Sequence, residues 1–140
     1  MSLEEIFSCR GKVALVTGAA SGLGFMFAEA MAEAGADVAC ADIDMDGLSD
    51  TMRTVEALGR KAIAIRCNVA DEEQVKGMVA DTVKAFGTID ILFNNAGIGP
   101  RPCPVHELAT EDWGKVIDVD LNGAFYCARE VLKVMVPRRS

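Results

Sequence analysis

From residue 12 onward, short apolar runs alternate with longer stretches whose apolar positions recur every three or four residues. Val13-Ala14-Leu15-Val16 predicts a buried strand at about 12–17. A helix follows from about 22 to 34, with Phe27, Ala30, Met31 and Ala34 as its sheet-facing stripe and Gly35 as its stop. Asp37 to Ala41 predicts a second strand ending at Asp42, then a helix from about Asp46 to Leu58, halted by Gly59. Ala62 to Cys67 is the third strand. A third helix spans about Asp71 to Phe86 before Gly87, with Val75, Met78, Val79, Thr82, Val83 and Phe86 as its buried stripe. Ile89 to Phe93 reads as the fourth strand. Asn94-Asn95-Ala96-Gly97 and a Gly- and Pro-rich loop lead to a last helix, capped by Thr110, with Glu111 and Asp112 suiting its dipole. This helix runs to about Met135 and is expected to end before Pro137. It is apolar on more than one side, through Val116, Val119, Phe125, Tyr126, Val131, Leu132 and Met135, so one face suits the sheet and another suits a further partner.

Strands alternating with helices across short loops imply a parallel sheet with crossover helices. The short, continuous apolar runs fit strands covered on both faces. The fold class is therefore α/β, a doubly wound parallel sheet in one domain over 1–140, with residues 1–11 as a lead-in.

Composition narrows the function. Apolar residues make up 51%, yet no run is long enough to span a membrane, and no secretory signal opens the chain. With 14 basic and 21 acidic residues, a net charge of −7 argues against a nucleic-acid binder. Cys9, Cys40, Cys67, Cys103 and Cys127 are scattered singly and read as reduced thiols of a cytoplasmic protein, with Cys40 and Cys67 placed in strands. His106 is the only histidine, so no metal site is expected.

The candidate chemistry begins at Thr17-Gly18-Ala19-Ala20-Ser21-Gly22-Leu23-Gly24, between the first strand and first helix. Glycines at 18, 22 and 24 let backbone approach a bulky ligand, and the free N–H groups around Ser21, Gly22, Leu23 and Gly24 favour an anion, with pyrophosphate the expected guest. Asp42, about 20 residues further on and followed by Ile43, can accept hydrogen bonds from both ribose hydroxyls and would repel a 2′-phosphate. NAD is therefore favoured over NADP.

Five features together resemble the short-chain dehydrogenase/reductase family: T-G-x-x-x-G-x-G, Asp42, Asn68-Val69, Asn94-Asn95-Ala96-Gly97, and Trp113 with Val119-Asp120-Leu121-Asn122-Gly123. The resemblance implies a Rossmann-type sheet and hydride transfer between nicotinamide and an alcohol or carbonyl substrate. It places Asn68 and Val69 beside the adenine, with Asn95, Ala96 and Gly97 near the nicotinamide ribose. NADP-preferring members often carry Arg or Lys where this chain has Ser21. Pro100, Arg101, Pro102 and Pro104 stiffen the loop after Gly97, which is expected to form one rim of the substrate pocket. A homo-oligomer is implied for the intact protein.

The family's Ser and Tyr-x-x-x-Lys set is not found here. The only tyrosine, Tyr126, is followed four residues later by Glu130 and is expected to serve packing. Asp120 stands where the family places a catalytic Asn. An ionised carboxylate there accepts but does not donate, and Asn122 points to another helical face. The chain as given is thus expected to be the cofactor-binding half of a longer enzyme, inactive alone, with Ile89, Ile91, Leu92 and Phe93 on an open sheet edge. The alternative is a catalytically inactive dinucleotide-binding module.

Overall fold

The computed structural model describes residues 3–139. The elements run α1 (Leu3–Phe7), β1 (Val13–Thr17), α2 (Gly22–Glu33), β2 (Asp37–Asp42), α3 (Met45–Ala57), β3 (Ala62–Arg66), α4 (Glu72–Phe86), β4 (Ile91–Phe93), α5 (Thr110–Val116) and α6 (Ala124–Arg138). A short 3₁₀ turn at Val105–Glu107 precedes α5, and a π-helical segment, Ile117–Gly123, joins α5 to α6.

Two helices start by the same device. Asp44 accepts from the N–H groups of Asp46 and Gly47, and Asp71 from those of Glu73 and Gln74, each filling donors left open in a first helical turn. Gly87 closes α4 in the left-handed region, where a side chain would be strained.

All pairings in the sheet are parallel, in the order β3-β2-β1-β4. β1 sits centrally and is buried at every position. One face of the sheet packs Val16, Val38 and Cys40 against Ala28, Ala32, Leu48 and Val55 of α2 and α3. The other packs Leu15, Ala39, Ala41 and Ile65 against Val75, Met78, Val79, Cys127 and Val131 of α4 and α6. The chain leaves β1 toward β2 in one direction and reaches β4 on the other side. The C-terminal ends of β1 and β4 therefore flank a topological switch point, where open α/β sheets bind ligands.

Several details differ from the sequence expectation. The buried stripe of α2 is Gly24, Ala28 and Ala32, with Phe27 and Met31 beside it and Ala30 exposed. Small residues lie directly over the sheet because α2 must come close to the glycine turn. β4 starts at Ile91 because Asp90 turns its carboxylate onto the N–H of Val13 at 2.9 Å, replacing a ladder bond. Ile89 is 0% exposed, so it belongs to the core and not to an open edge. Ile91, Leu92 and Phe93 are half-buried, and Phe27 stacks on Phe93 at 4.8 Å between ring centroids.

The last helix differs most. Ala109, in extended backbone, occupies the cap position and Thr110 is already helical, so no side chain caps it; Glu111 and Asp112 remain as the acidic first turn. Helical backbone continues through Pro137 to Arg138. A proline so close to the helix end leaves few later turns to disturb. Val119, Tyr126, Val131 and Met135 pack on the core, whereas Leu121, Phe125, Leu132 and Val136 are exposed, giving the two apolar sides expected. The lead-in contains α1 and is tied down where Cys9 N–H donates to Ala34 O at 2.7 Å.

Candidate functional site

The site is built from the loops that follow the four strand ends, and Thr17 is its hub. This residue is 0% exposed, at the end of β1. Its Oγ1 donates to Phe93 O at 3.2 Å and accepts from the N–H groups of Asn95 and Ala96, both at 3.1 Å. The Asn95 amide donates back to Thr17 O at 3.0 Å and to Gly18 O at 3.3 Å. The Asn94–Gly97 turn is therefore bonded to the start of the glycine turn on both sides.

Gly24 explains the glycine spacing. A Cβ there would stand 1.9 Å from Gly18 O and 2.8 Å from Asn95 Nδ2, so the first turn of α2 lies directly against the preceding loop. Gly18 has φ +66, and a Cβ would stand 3.0 Å from Ala96 Cα. Ser21 precedes the helix in extended backbone and makes no side-chain cap, and the first turn of α2 holds no acid. The first N–H groups of a helix have no acceptor within it, and here no side-chain cap or acid of the first turn takes their place. Thr51 on α3 supports the turn from behind, donating to Ala19 O at 2.8 Å.

Asp42 joins the second strand end to this turn. One carboxylate oxygen accepts from Ala20 N–H and the other from Asp44 N–H, each at 3.0 Å. Each oxygen keeps a lone pair for a further donor. Beyond the third strand, Asn68 Oδ1 accepts from Ala70 N–H at 3.1 Å, while Asn68 N–H donates to the Gln74 side chain at 2.9 Å.

The π-helical segment closes the opposite wall. Asp120 Oδ1 accepts from Ile98 N–H at 2.9 Å, and the Asn94 amide donates to Ala124 O at 2.7 Å. Asp120 thus holds the loop after β4 with the acceptor capacity a carboxylate retains. Gly123 lies against Val69, where a Cβ would stand 2.7 Å from Cγ2. Such π turns recur at functional sites because the extra residue redirects side chains. Asn122 turns away and bonds Asp118 at 3.0 Å.

Between these walls lies a cavity of about 130 Å³, lined by Gly18, Asp42, Ile43, Asn68, Val69, Ala96 and Gly97, with Cys67, Ile98 and Val119. Of the site residues read from sequence, seven line it. Asn95 lies behind the wall, Gly24 beneath the turn, and Ser21, Gly22 and Leu23 at the exposed start of α2. Pro100, Arg101, Pro102 and Pro104 are exposed and outside the lining. Larger depressions, of about 550 and 710 Å³, open on the outer helix surfaces away from the strand ends. Sequence reasoning missed Thr17 and Thr51 as supports. The available signal for Thr17 was a hydroxyl closing an otherwise apolar strand, since a buried hydroxyl needs partners.

Burial also governs the thiols. It pushes Cys40 and Cys127 up to about 12 and Cys67 to about 11, from an ordinary value of 9.0. Above pH 9.0 the unfolded chain sheds these protons first, so folding stability present below that pH is expected to fall as pH rises toward about 12. Urea unfolding across that window measures the loss, and Cys40→Ala should flatten the slope.

A parallel sheet wound on both faces, with a glycine turn leading into a helix and a cleft over the strand ends, defines a Rossmann-type α/β domain. Residues 12–140 match the short chain dehydrogenase family, and this chain belongs to it. It is 40% identical over 137 residues to a sorbose reductase of Candida albicans, covering 97% of this chain and 49% of that protein. A probable NADP-dependent mannitol dehydrogenase of Yarrowia lipolytica is 42% identical over 135 residues, covering 91% and 46%. The crystal structure of an NAD⁺-bound xylitol dehydrogenase superposes with a TM-score of 0.90 at 36% identity, covering 92% of this chain and 50% of that one. The chain spans about half the length of the curated relatives it matches. Among the described residues no helix is long and apolar enough to cross a membrane.

Proposed function

We propose that this chain is the dinucleotide-binding part of an NAD-dependent oxidoreductase acting on an alcohol or carbonyl substrate. Asp42 carries the reading: its carboxylate lines the cavity while bonded to the glycine turn, so one group couples the ribose position to the pyrophosphate position. The residues fit such a cofactor. Gly18 and Gly24 carry no Cβ where the turn is most crowded, and the first turn of α2 offers donors and no competing carboxylate. Gly22 and Leu23 would offer N–H groups to the pyrophosphate, Ser21 its hydroxyl, and Ile43, Asn68 and Val69 the adenine surface. Asn95, Ala96 and Gly97 would shape the floor under the second ribose. When bound, nicotinamide supplies the hydride donor or acceptor.

The preference for NAD rests on charge. Among the described residues no cationic side chain lines the cavity, and Asp42 opposes a 2′-phosphate there. The named relatives include an NADP-dependent protein and an NAD⁺-bound structure, so this chain's own carboxylate is the argument. NADH is expected to bind more tightly than NADPH by fluorescence titration. Asp42→Ala should weaken NADH about tenfold or more, the size of a lost hydrogen bond to a charged group, and shift preference toward NADPH. Tighter NADPH binding by the unaltered chain would sink the NAD assignment.

The same reading makes residues 12–140 a cofactor unit without turnover of its own, in a cytoplasmic protein that assembles as a homo-oligomer when intact. Tyr126 is half-buried against the core and stacks with Arg129, while Glu130 is held by Lys133 at 2.6 Å. Neither is placed as an acid/base at the cavity. That observation also favours the second reading, a binding module without catalysis. Sequencing the reading frame beyond codon 140 separates the two: a downstream Ser and Tyr-x-x-x-Lys set identifies an enzyme.

A further inference from the structure

Arg66 ends β3 as the register partner of Asp42 in the neighbouring strand. Registered residues of a parallel pair project from the same sheet face. Here that face is the one packed by α2 and α3, because Ala62 and Ala64 of β3 pack there with Val38 and Cys40 of β2. The guanidinium of Arg66 is thus carried on the side of the sheet that carries the Asp42 carboxylate, at the same C-terminal edge. Arg66 is exposed. Arg53, Arg60 and Arg129 are all committed to carboxylates, whereas among the described residues Arg66 makes no ion pair or side-chain hydrogen bond. The residues immediately after it, Cys67 and Asn68, line the cavity.

We propose that Arg66 is a specificity-determining residue: it offsets Asp42 and receives a 2′-phosphate on the adenosine ribose, so the site discriminates against NADP less strictly than Asp42 alone would enforce. The proposal rests on the dinucleotide reading of the cavity. A guanidinium suits this task because its planar fork matches phosphate oxygens and stays charged at any working pH. Asp42 is already engaged by two backbone N–H groups, which leaves Arg66 free to turn toward an added anion. Asp44, whose N–H donates to Asp42, and Asp46 in the first turn of α3 add negative charge beside it, which Arg66 offsets.

The test is a fluorescence titration of the 140-residue chain with NADH and NADPH, repeated for Arg66→Gln and Arg66→Lys. In Arg66→Gln the ratio of the NADPH to the NADH dissociation constant should rise on the order of 5-fold, as expected for an exposed charge near a phosphate. NADH affinity should stay within about twofold of the unaltered chain, because a neutral ribose gains little from the cation. Arg66→Lys should keep most of the original ratio, and added salt should shrink the difference. An unchanged ratio with both nucleotides still bound overturns the proposal. Failure of the unaltered chain to bind either nucleotide overturns the dinucleotide reading, and the proposal with it.

Discussion

Gly24→Ala should abolish NADH binding and lower stability by about 3 kcal/mol, the upper range for overpacking a close contact. The added Cβ would lie 1.9 Å from Gly18 O and 2.6 Å from Gly18 C, both backbone atoms that side-chain rotation leaves in place. Either α2 retreats from the sheet or the glycine turn opens. The first uncovers Ala28 and Ala32, and the second misplaces the N–H groups offered to an anion. Alanine's better helix propensity returns only about 1 kcal/mol, so the clash dominates. Gly77→Ala is the control. That glycine is exposed on α4 with nothing within 4 Å of its Cβ position, so the same change there should stabilise. Urea denaturation of both variants decides the matter. Equal midpoints for Gly24→Ala and the unaltered chain would refute the close approach.

Thr17→Val has the second largest expected effect, a loss of about 2–4 kcal/mol with weakened NADH binding. Valine keeps the shape but removes the oxygen that accepts from Asn95 and Ala96 N–H and donates to Phe93 O. Buried donors left without an acceptor cost more than a solvent-exposed bond is worth. Thr17→Ser keeps the hydroxyl and loses only a methyl group, for about 1 kcal/mol. Valine should therefore be the worse substitution in both denaturation and NADH titration. The reverse order would show that methyl packing, not the hydroxyl, holds the Asn94–Gly97 turn.

These two residues mark how legible the chain was. The glycine spacing pointed to a ligand brought close to the backbone; the close contact that the structure shows is internal, between Gly24 and Gly18. The buried stripe of α4 was equally readable, because Val75, Met78, Val79 and Thr82 repeat at helical spacing and all face the core. The stripe of α2 was legible only in part: Phe27 and Met31 pack beside the sheet, whereas Ala30 is exposed. Large apolar residues drew attention at Phe27 and Met31, while the tight helix–sheet contact selects Ala28 and Ala32. Ile89 was misassigned for a related reason: strand pattern says nothing about whether a neighbouring carboxylate, here Asp90, ends the ladder early.

What the sequence alone determined were the properties set by local spacing: the alternation of strands and helices, the parallel sheet it implies, the glycine turn and the acid at the end of β2. These follow from periodicities of two and 3.6 residues and from the special backbone freedom of glycine. Only the tertiary structure decided which loops meet. Thr17 bonds Asn95 across 78 positions, and Asp120 bonds Ile98 across 22. The π turn that aims Asp120 at that loop carries no periodic signature of its own. Long-range hydrogen bonds leave little local trace because one buried donor can find its acceptor anywhere in the chain that folding brings near. The assembled cleft is therefore a property of packing, and the residues that hold it are the ones a linear reading passes over.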